Sequence, residues 1–439
     1  MAMRPSDLLV HALHARFNNA MGLFEPFEAR PHIVVAVSGG PDSMALALLA
    51  KNWVAVRDGQ ATALIVDHRL RQESRDEAVC VQQRLRALKI RSEVLVWRGE
   101  KPATGVQAAA RTVRYQLLDQ WCAQNGVMHV LTGHHTNDQA ETVAMRSARG
   151  SGPEGLAGMS AVVEHTRMRL LRPLLGFDRD GLRDFLEDQG VPWLVDPSNR
   201  DLRYERARLR QGNPLSCHPR EETRQTGATR RALEGRVQTA LAACVAPHPF
   251  GFCGVNLSNF IKEDPTVVDG VLSRVVAWIG GRNYLLAPAL ATQLRSQLSA
   301  LKPGQSATAG GCLLTRRKET VVITREPGRL PSVRKMDLRS GDLWDGRFWL
   351  EADPTQGGQG RSYNIGPLGS TGVRDVVRSN DLASVSGIPK AAIAALPALW
   401  VDGVAVCVPH LFIQRAGESQ FSAVFRPRRT LSSPTFAVA

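Results

Sequence analysis

The chain has 439 residues, 43% of them hydrophobic and 22% charged, a globular composition that excludes a fibrous or disordered protein and is long enough for two or three domains. Its net charge of +14 favours a polyanionic partner, nucleic acid or an acidic membrane surface, with a merely basic soluble surface as the alternative. No stretch reaches the roughly 18 apolar residues of a membrane span, and the N-terminus lacks an apolar signal core, so a cytoplasmic protein with no membrane partner is expected.

In chain order, Ile33–Val37 is a continuous apolar run, as a strand buried on both faces should be. Ser43 to about Val56 reads as a helix rich in Ala and Leu. Ala63–Val66 is a second strand, Glu73–Leu88 a charged helix with Val79, Leu85 and Leu88 on its apolar side, and Glu93–Trp97 a third strand. A helix over Val106–Cys122, a strand over His129–Thr132 and a helix from Thr136 to Arg149 complete the alternation. This βαβα order predicts an α/β fold, a doubly wound parallel sheet with helices on both faces.

Residues 212–228 are polar with Pro and Gly and form the best linker candidate. Residues 229–245 and 270–280 look helical, 311–325 looks like a hairpin built on Thr, Val and Ile, and the chain from about 335 mixes strands with Gly and Pro turns. The expected organisation is a catalytic domain over 1–215, a mostly helical domain over 229–330 and a small α+β domain over 335–439. The seven cysteines (80, 122, 217, 244, 253, 312 and 407) include no CxxC pair, so no zinc or cluster site is written in the sequence.

Ser38-Gly39-Gly40-Pro41-Asp42-Ser43 joins the first strand to the first helix, at the carboxyl edge of the sheet, where open α/β sheets bind ligands. Two glycines let backbone N–H groups approach phosphate oxygens, the serines add donors, and the helix directs its positive end to the same place. Asp42 suits a cradle for anions only if it holds Mg²⁺; the alternative is a Gly-Pro turn with Asp42 near a helix cap. No G-K-[ST] occurs, so this is not a Walker A loop.

Thr132-Gly133-His134-His135-Thr136-Asn137-Asp138-Gln139-Ala140-Glu141-Thr142 follows the fourth strand and opens a helix on the same edge. His134, His135, Asp138 and Glu141 read less well as a transition-metal cluster than as capping and nucleotide contacts. Gly150–Gly155 fits GxGxxG but follows a helix rather than a strand, which excludes a dinucleotide turn. Arg111 and Arg114 share a helix face, suited to ATP or tRNA phosphates or simply solvated. Arg206, Arg208 and Arg210 alternate; with Arg316-Arg317-Lys318 and Arg426, Arg428 and Arg429 they suit a surface that tracks a nucleic-acid backbone.

The loop Ser38–Ser43 matches SGGxDS, the signature of the N-type ATP pyrophosphatases of the PP-loop superfamily, which the chain resembles. Within that superfamily it resembles the tRNA(Ile)-lysidine synthetases, over about 210 residues. Residues 132–142 resemble TGHHxDDQAET, with Asn137 at the first acidic position and Asp138 at the second. Val66–Arg71 resembles HVDHGLR, Ala110–Tyr115 ARxxRY, Arg149–Met159 RGSGxxGLxGM, Arg172–Leu175 RPLL and Asp196–Asn199 DPSN. Arg206–Arg210 stands for RNxIR, with Ala207 in place of Asn.

The resemblance implies a PP-loop ATPase (adenine nucleotide α-hydrolase-like) domain followed by a helical middle domain and a C-terminal α+β domain, both of which bind tRNA. It implies ATP on Ser38, Gly39, Gly40, Pro41, Asp42, Ser43, Asp67, His68, Gly133 and His134, with Mg²⁺ at Asp42. Catalytic carboxylates fall on Asp42 and Asp138, and tRNA or substrate contacts on Arg111, Arg114, His135, Glu141, Arg206 and Arg208. The implied reaction ligates free L-lysine to C2 of the wobble cytidine of tRNA(Ile) with a CAU anticodon, through an adenylated tRNA, releasing AMP and pyrophosphate. A homodimer is open. The rivals are cytidine thiolation, an amidating synthetase, and a non-catalytic RNA-binding relative.

Overall fold

The structure is a computed structural model that describes residues 5–151, 153–165, 167–194, 209, 220–338, 341–352, 363–378, 386–414, 421–432 and 436–437. The segment with Asp196–Asn199, Arg206, Arg208 and Arg210, and residues 212–219 of the expected linker, lie outside them. The chain divides into two compact units, residues 1–232 with 434–439, and residues 233–433.

The first unit is built on a six-stranded sheet of order β3-β2-β1-β4-β6-β5. Its strands are β1 (His32–Val37), β2 (Gln60–Asp67), β3 (Arg91–Val96), β4 (His129–Thr132), β5 (Val162–Glu164) and β6 (Arg169–Leu171). Only β5 runs antiparallel. Helices α2 (Pro41–Ala55), α4 (Val106–Asn125) and α5 (Thr136–Ala148) start close to where the sequence places them, and α3 (Ser74–Ala87) separates β2 from β3. One helix, α1 (Pro5–Gly22), was not expected; the short helices read for the stretch to about residue 211 include α6 (Pro153–Leu156), between α5 and β5, and α7 (Arg179–Asp188).

Alternating residues of β1 serve different cores. Ile33, Val35 and Val37 pack with α2, Val81 and Leu85 of α3, and Leu182, Phe185 and Leu186 of α7. Val34 packs with Leu64, Val130 and Leu118, Trp121 and Cys122 of α4. The centre of the sheet is therefore covered on both faces, which is why β1 reads as an unbroken apolar run. Helix α2 is buried at eleven positions, from Pro41 to Val54, as expected of a helix enclosed by a sheet and other helices. The short segment Phe436–Ala437 also belongs to this unit. The Ala437 N–H donates to Ser160 Oγ (3.1 Å), the Ala437 carbonyl accepts from Ala161 N–H (2.9 Å), and buried Phe436 lies under the Arg230 guanidinium.

The proposed linker gives way to the helix Arg220–Cys244 from residue 220 onward. Its Glu, Arg, Gln and Ala residues are strong helix formers, and Gly227 and Gly235 cost only about 1 kcal/mol each against them. The second unit begins within this helix.

The second unit has two apolar cores. One lies between the helices Arg220–Cys244, Pro265–Ile279 and Pro288–Ala300 and an antiparallel sheet of order β7-β8-β11-β10-β9. Its strands are Val245–His248, Phe252–Asn256, Thr320–Arg325, Cys312–Arg316 and Ser306–Ala309, in that order. The expected hairpin is present as β10–β11, paired Cys312 to Arg325. The other three strands were not placed by the sequence, because they are short and carry Pro247, Gly254 or polar residues. The other core, from Met336 to Phe421, is enclosed by a five-stranded and a three-stranded antiparallel sheet.

A buried cluster of charge ties these cores together. Arg325, at the end of β11, holds both carboxylate oxygens of Asp345 (2.9 and 3.0 Å), and Arg347 holds one of them at 2.7 Å. Arg347 is wholly buried; burial pushes its guanidinium down to about 10 against the pull of Asp345, so it stays charged at neutral pH. Asp345→Asn leaves both guanidiniums in the interior without their anion. The expected loss is about 3–5 kcal/mol of stability, measurable as a lower denaturant midpoint; an unchanged midpoint would show that the cluster contributes nothing.

Candidate active site

The strand order places the site. From β1 the chain winds outward to β2 and β3, then returns to add β4 on the other side of β1. The direction of winding reverses between β1 and β4, and a crevice opens there at the carboxyl ends of the strands. Ala36 pairs with Thr132 in register. The loops Ser38–Ser43 and Gly133–His135 therefore leave the sheet side by side.

The first loop is held by its own serines. The Ser38 N–H donates to Ser43 Oγ (3.2 Å), the two hydroxyls lie 3.3 Å apart, and Ser43 Oγ donates to the Gly40 carbonyl (3.0 Å). Gly39 has φ +85°, and a Cβ there would come within 2.4 Å of Val81 Cγ2. Only glycine serves at this position, because of both its φ and its neighbour on α3. Gly40 is the N-cap of α2 with no side chain to cap it, and Pro41 fills the first helical position. The opening turn of a buried helix thus faces the crevice with its backbone N–H groups uncapped by any side chain, a site suited to anions.

The second loop lies directly against the first. A Cβ on Gly133 would stand 3.1 Å from the carbonyl carbon and oxygen of Asp42 and from the Ser43 nitrogen. His135 then joins the two acidic positions. Its Nε2 is 3.5 Å from Asp42 Oδ2 and 3.5 Å from Asp138 Oδ2. The His135 N–H donates to Asp138 Oδ2 (3.0 Å), and the Asn137 N–H donates to His135 Nδ1 (3.2 Å). In the neutral ring the proton therefore sits on Nε2, facing the carboxylates. Burial opposes charge on this imidazole, but the hydrogen bond to Asp42 and the charges of Asp138 and Asp42 outweigh it, and its pKa is raised. Asn137, at the first acidic position of the motif, contributes a backbone N–H here.

The other expected residues sort by position. His134 Nδ1 is 3.0 Å from Thr132 Oγ1, at the mouth of β4. Asp67 is buried at the end of β2 and already engaged: its Oδ1 accepts from Arg69 N–H and Ser74 Oγ, both at 2.9 Å. It shapes the turn after β2, in which Arg69 has φ +49°. Arg114 donates to His68 Nε2 (3.4 Å), bringing α4 to this edge. Burial, then Arg114, lowers the His68 pKa to about 4, so this ring is neutral. Arg111 is exposed and lies over the Tyr115 ring. Glu141 is 1% exposed and lies within the fold.

Several supporting residues were not read from the sequence. Ser74 fixes Asp67, and Val81 and Leu194 close over Gly39. Gln139 exchanges hydrogen bonds with both the N–H and the carbonyl of Met159, while Arg146 donates to the carbonyls of Gly155 and Gly158. These two side chains of α5 fold the glycine-rich segment 150–159. Contacts made across the fold, as these are, leave no local pattern in the sequence.

Among the described residues, no three His, Cys, Asp or Glu side chains converge to hold a metal by themselves. Asp42 Oδ1 is nevertheless buried without a hydrogen-bond partner among the described residues. One carboxylate beside a phosphate cradle is the donor set Mg²⁺ takes, with phosphate oxygens and water completing its shell. The residues present fit that ion.

Comparison with known proteins agrees with this geometry. A family model described as a PP-loop domain matches residues 12–213. A tRNA(Ile)-lysidine synthase of Ruegeria pomeroyi is 33% identical over 393 residues, covering 87% of this chain and 90% of that protein. One from Brucella suis biovar 1 is 33% identical, covering 89% of each. One from a Bradyrhizobium species is 45% identical over 223 residues, 50% of this chain and 61% of that protein.

Two outcomes follow from the geometry. Gly133→Ala pushes the two loops apart against backbone atoms that cannot yield freely. It should cost about 1–3 kcal/mol and weaken ATP binding; unchanged nucleotide affinity by calorimetry would show that the loops need not touch. His135 has a folded-state pKa above its unfolded value of about 6.5, so its protonation stabilises the fold fully below that pH. The contribution fades as pH rises through the folded value. The stability gap between wild type and His135→Asn should therefore be larger near pH 6 than near pH 8.5, and a gap independent of pH would contradict the assignment.

Proposed function

This chain belongs to the tRNA(Ile)-lysidine synthase family, and from that membership and the crevice we propose how its residues carry out the reaction. It is an ATP-using, tRNA-modifying ligase that forms lysidine. The observation that carries the assignment of roles is the single imidazole, His135, with both Asp42 and Asp138 at 3.5 Å. Two carboxylates from separate motifs meet beside one anion cradle.

The triphosphate of ATP lies along Ser38–Ser43, facing the N–H groups of the first turn of α2. The adenine lies toward Asp67 and His68, where Arg114 closes the edge. Mg²⁺, held by Asp42, would screen the triphosphate and the departing pyrophosphate. The C2 oxygen of the wobble cytidine attacks the α-phosphorus, an oxygen–phosphorus bond forms, and the bond to pyrophosphate breaks. The ε-amine of free L-lysine then attacks C2, and the C2–oxygen bond breaks as AMP departs.

Lysine enters protonated, with an ordinary pKa of about 10.4, and must lose a proton to act as a nucleophile. Asp138 positions the ammonium and accepts that proton, and His135 holds Asp138 facing Asp42. Neutral His68 adds no charge beside the adenine. The second unit, with its basic clusters, reads the body of tRNA(Ile) and so separates it from methionine tRNAs with the same CAU anticodon.

Cytidine thiolation is not favoured. No CxxC occurs in the chain, and Cys122, Cys244, Cys253, Cys312 and Cys407 are all buried. The direct test is incubation with ATP, labelled lysine and candidate tRNAs. Label should enter tRNA(Ile) with the CAU anticodon and not methionine tRNA. Asp42→Asn should lower turnover by about a thousandfold or more and leave tRNA affinity within about twofold. Full activity in that variant would exclude Asp42 from the chemistry.

A further inference from the structure

We propose that an arginine-walled cavity in the second unit holds a phosphodiester of an unpaired tRNA strand, with Tyr284 stacking on the adjoining base. The cavity has a volume of about 540 Å³ and is lined by Arg282, Arg325, Arg329 and Glu326, with Gly310 and Gly311 at the β9–β10 turn. This deepens the family reading and rests on it for the identity of the RNA.

Charge is the first argument. Arg325 and Arg347 share the single carboxylate of Asp345, so that trio keeps one net positive charge. Arg282 and Arg329 each add one, and Glu326 removes one. The wall is under-neutralised by its own protein, and an anion completes it.

Preorganisation is the second. Arg325 is fixed by Asp345 and by the carbonyls of Gly311 and Arg329, each at 2.8 Å, so binding costs it no side-chain freedom. Arg282 Nε is buried with no hydrogen-bond partner among the described residues. A buried donor left unpaired is a cost to the fold that a ligand oxygen would recover. Both glycines of the turn have positive φ, +57° and +83°, and a Cβ on Gly311 would lie 2.5 Å from Arg325 Nη1. The turn therefore stays open where side chains would fill it.

The neighbouring loop identifies the class of ligand. Tyr284, two residues beyond Arg282, is 77% exposed. Arg428 donates to the side chain of Asn283 and Arg429 to its carbonyl, which pins this loop and adds two cations beside it. Guanidiniums for the backbone and an exposed ring for a base face are the parts that bind single-stranded nucleic acid. Paired bases in a duplex would offer Tyr284 no face.

The test measures tRNA(Ile) affinity over a salt series for full-length wild type, Arg282→Gln, Arg329→Gln, Tyr284→Ala and Tyr284→Phe, with thermal melts to confirm folding. Lysine incorporation by the wild type is measured alongside. Each arginine variant should bind about tenfold more weakly, with the slope of log K against log salt reduced by about 0.7. Tyr284→Ala should lose about tenfold with an unchanged slope, and Tyr284→Phe should retain affinity. Arg329 is exposed, so its variant reports even where Arg282→Gln unfolds. Wild-type affinity and slope in the folded arginine variants would overturn the site while leaving the family reading intact. A wild type that binds tRNA but incorporates no lysine would sink that reading alone. Inorganic phosphate is titrated at fixed ionic strength as a separate arm. Saturable phosphate binding, with tRNA affinity insensitive to the variants, would make this a free-anion site and refute the proposal.

Discussion

Everything at the catalytic edge depends on the contact between Gly133 and the Asp42–Ser43 peptide. Two loops that are ninety residues apart in sequence leave neighbouring parallel strands and touch through backbone, because one carries no Cβ where they meet. That contact sets the distance from α5 to α2. It thereby sets how close Asp138 comes to Asp42 and lets one imidazole reach both. A wider separation would leave two isolated acidic groups; a narrower one would force like charges together without a cation between them.

Four of the six strands of the first sheet were legible because they carry apolar runs, while β5 and β6, three residues each, are too short to leave such a pattern. The loops that follow β1 and β4 were legible because glycine, serine and acidic residues cluster there for chemical reasons. What could not be read was tertiary. The role of Asp67 as the anchor of its own turn depends on Ser74, seven residues away, whose hydroxyl could as well have faced solvent. The closure over Gly39 by Val81 and Leu194 draws on two further elements. In the second unit, short strands with Pro247 and Gly254 lack the alternation that marks a half-buried strand, and of the Arg220–Cys244 helix only the first part, 220–228, hid behind a polar composition resembling a linker.

The two units handle charge in different ways. In the first, acidic groups are gathered around a histidine and left able to meet a cation and a phosphate. In the second, two guanidinium groups, Arg325 and Arg347, share the one carboxylate of Asp345, and Arg347 is wholly interior. A buried cluster with one more guanidinium than carboxylate costs the fold stability that a fully neutralised pair would not.

The return of Phe436 and Ala437 to the first unit has a consequence for biosynthesis. The domain with the nucleotide site is discontinuous: two hundred residues of another domain are synthesised before its last piece emerges. Ser160, Ala161 and the underside of Arg230 wait for that piece throughout elongation. A ribosome that stalls in the second unit would release a first domain lacking its final packing contact. Completion of that domain is thus coupled to translation of the second unit.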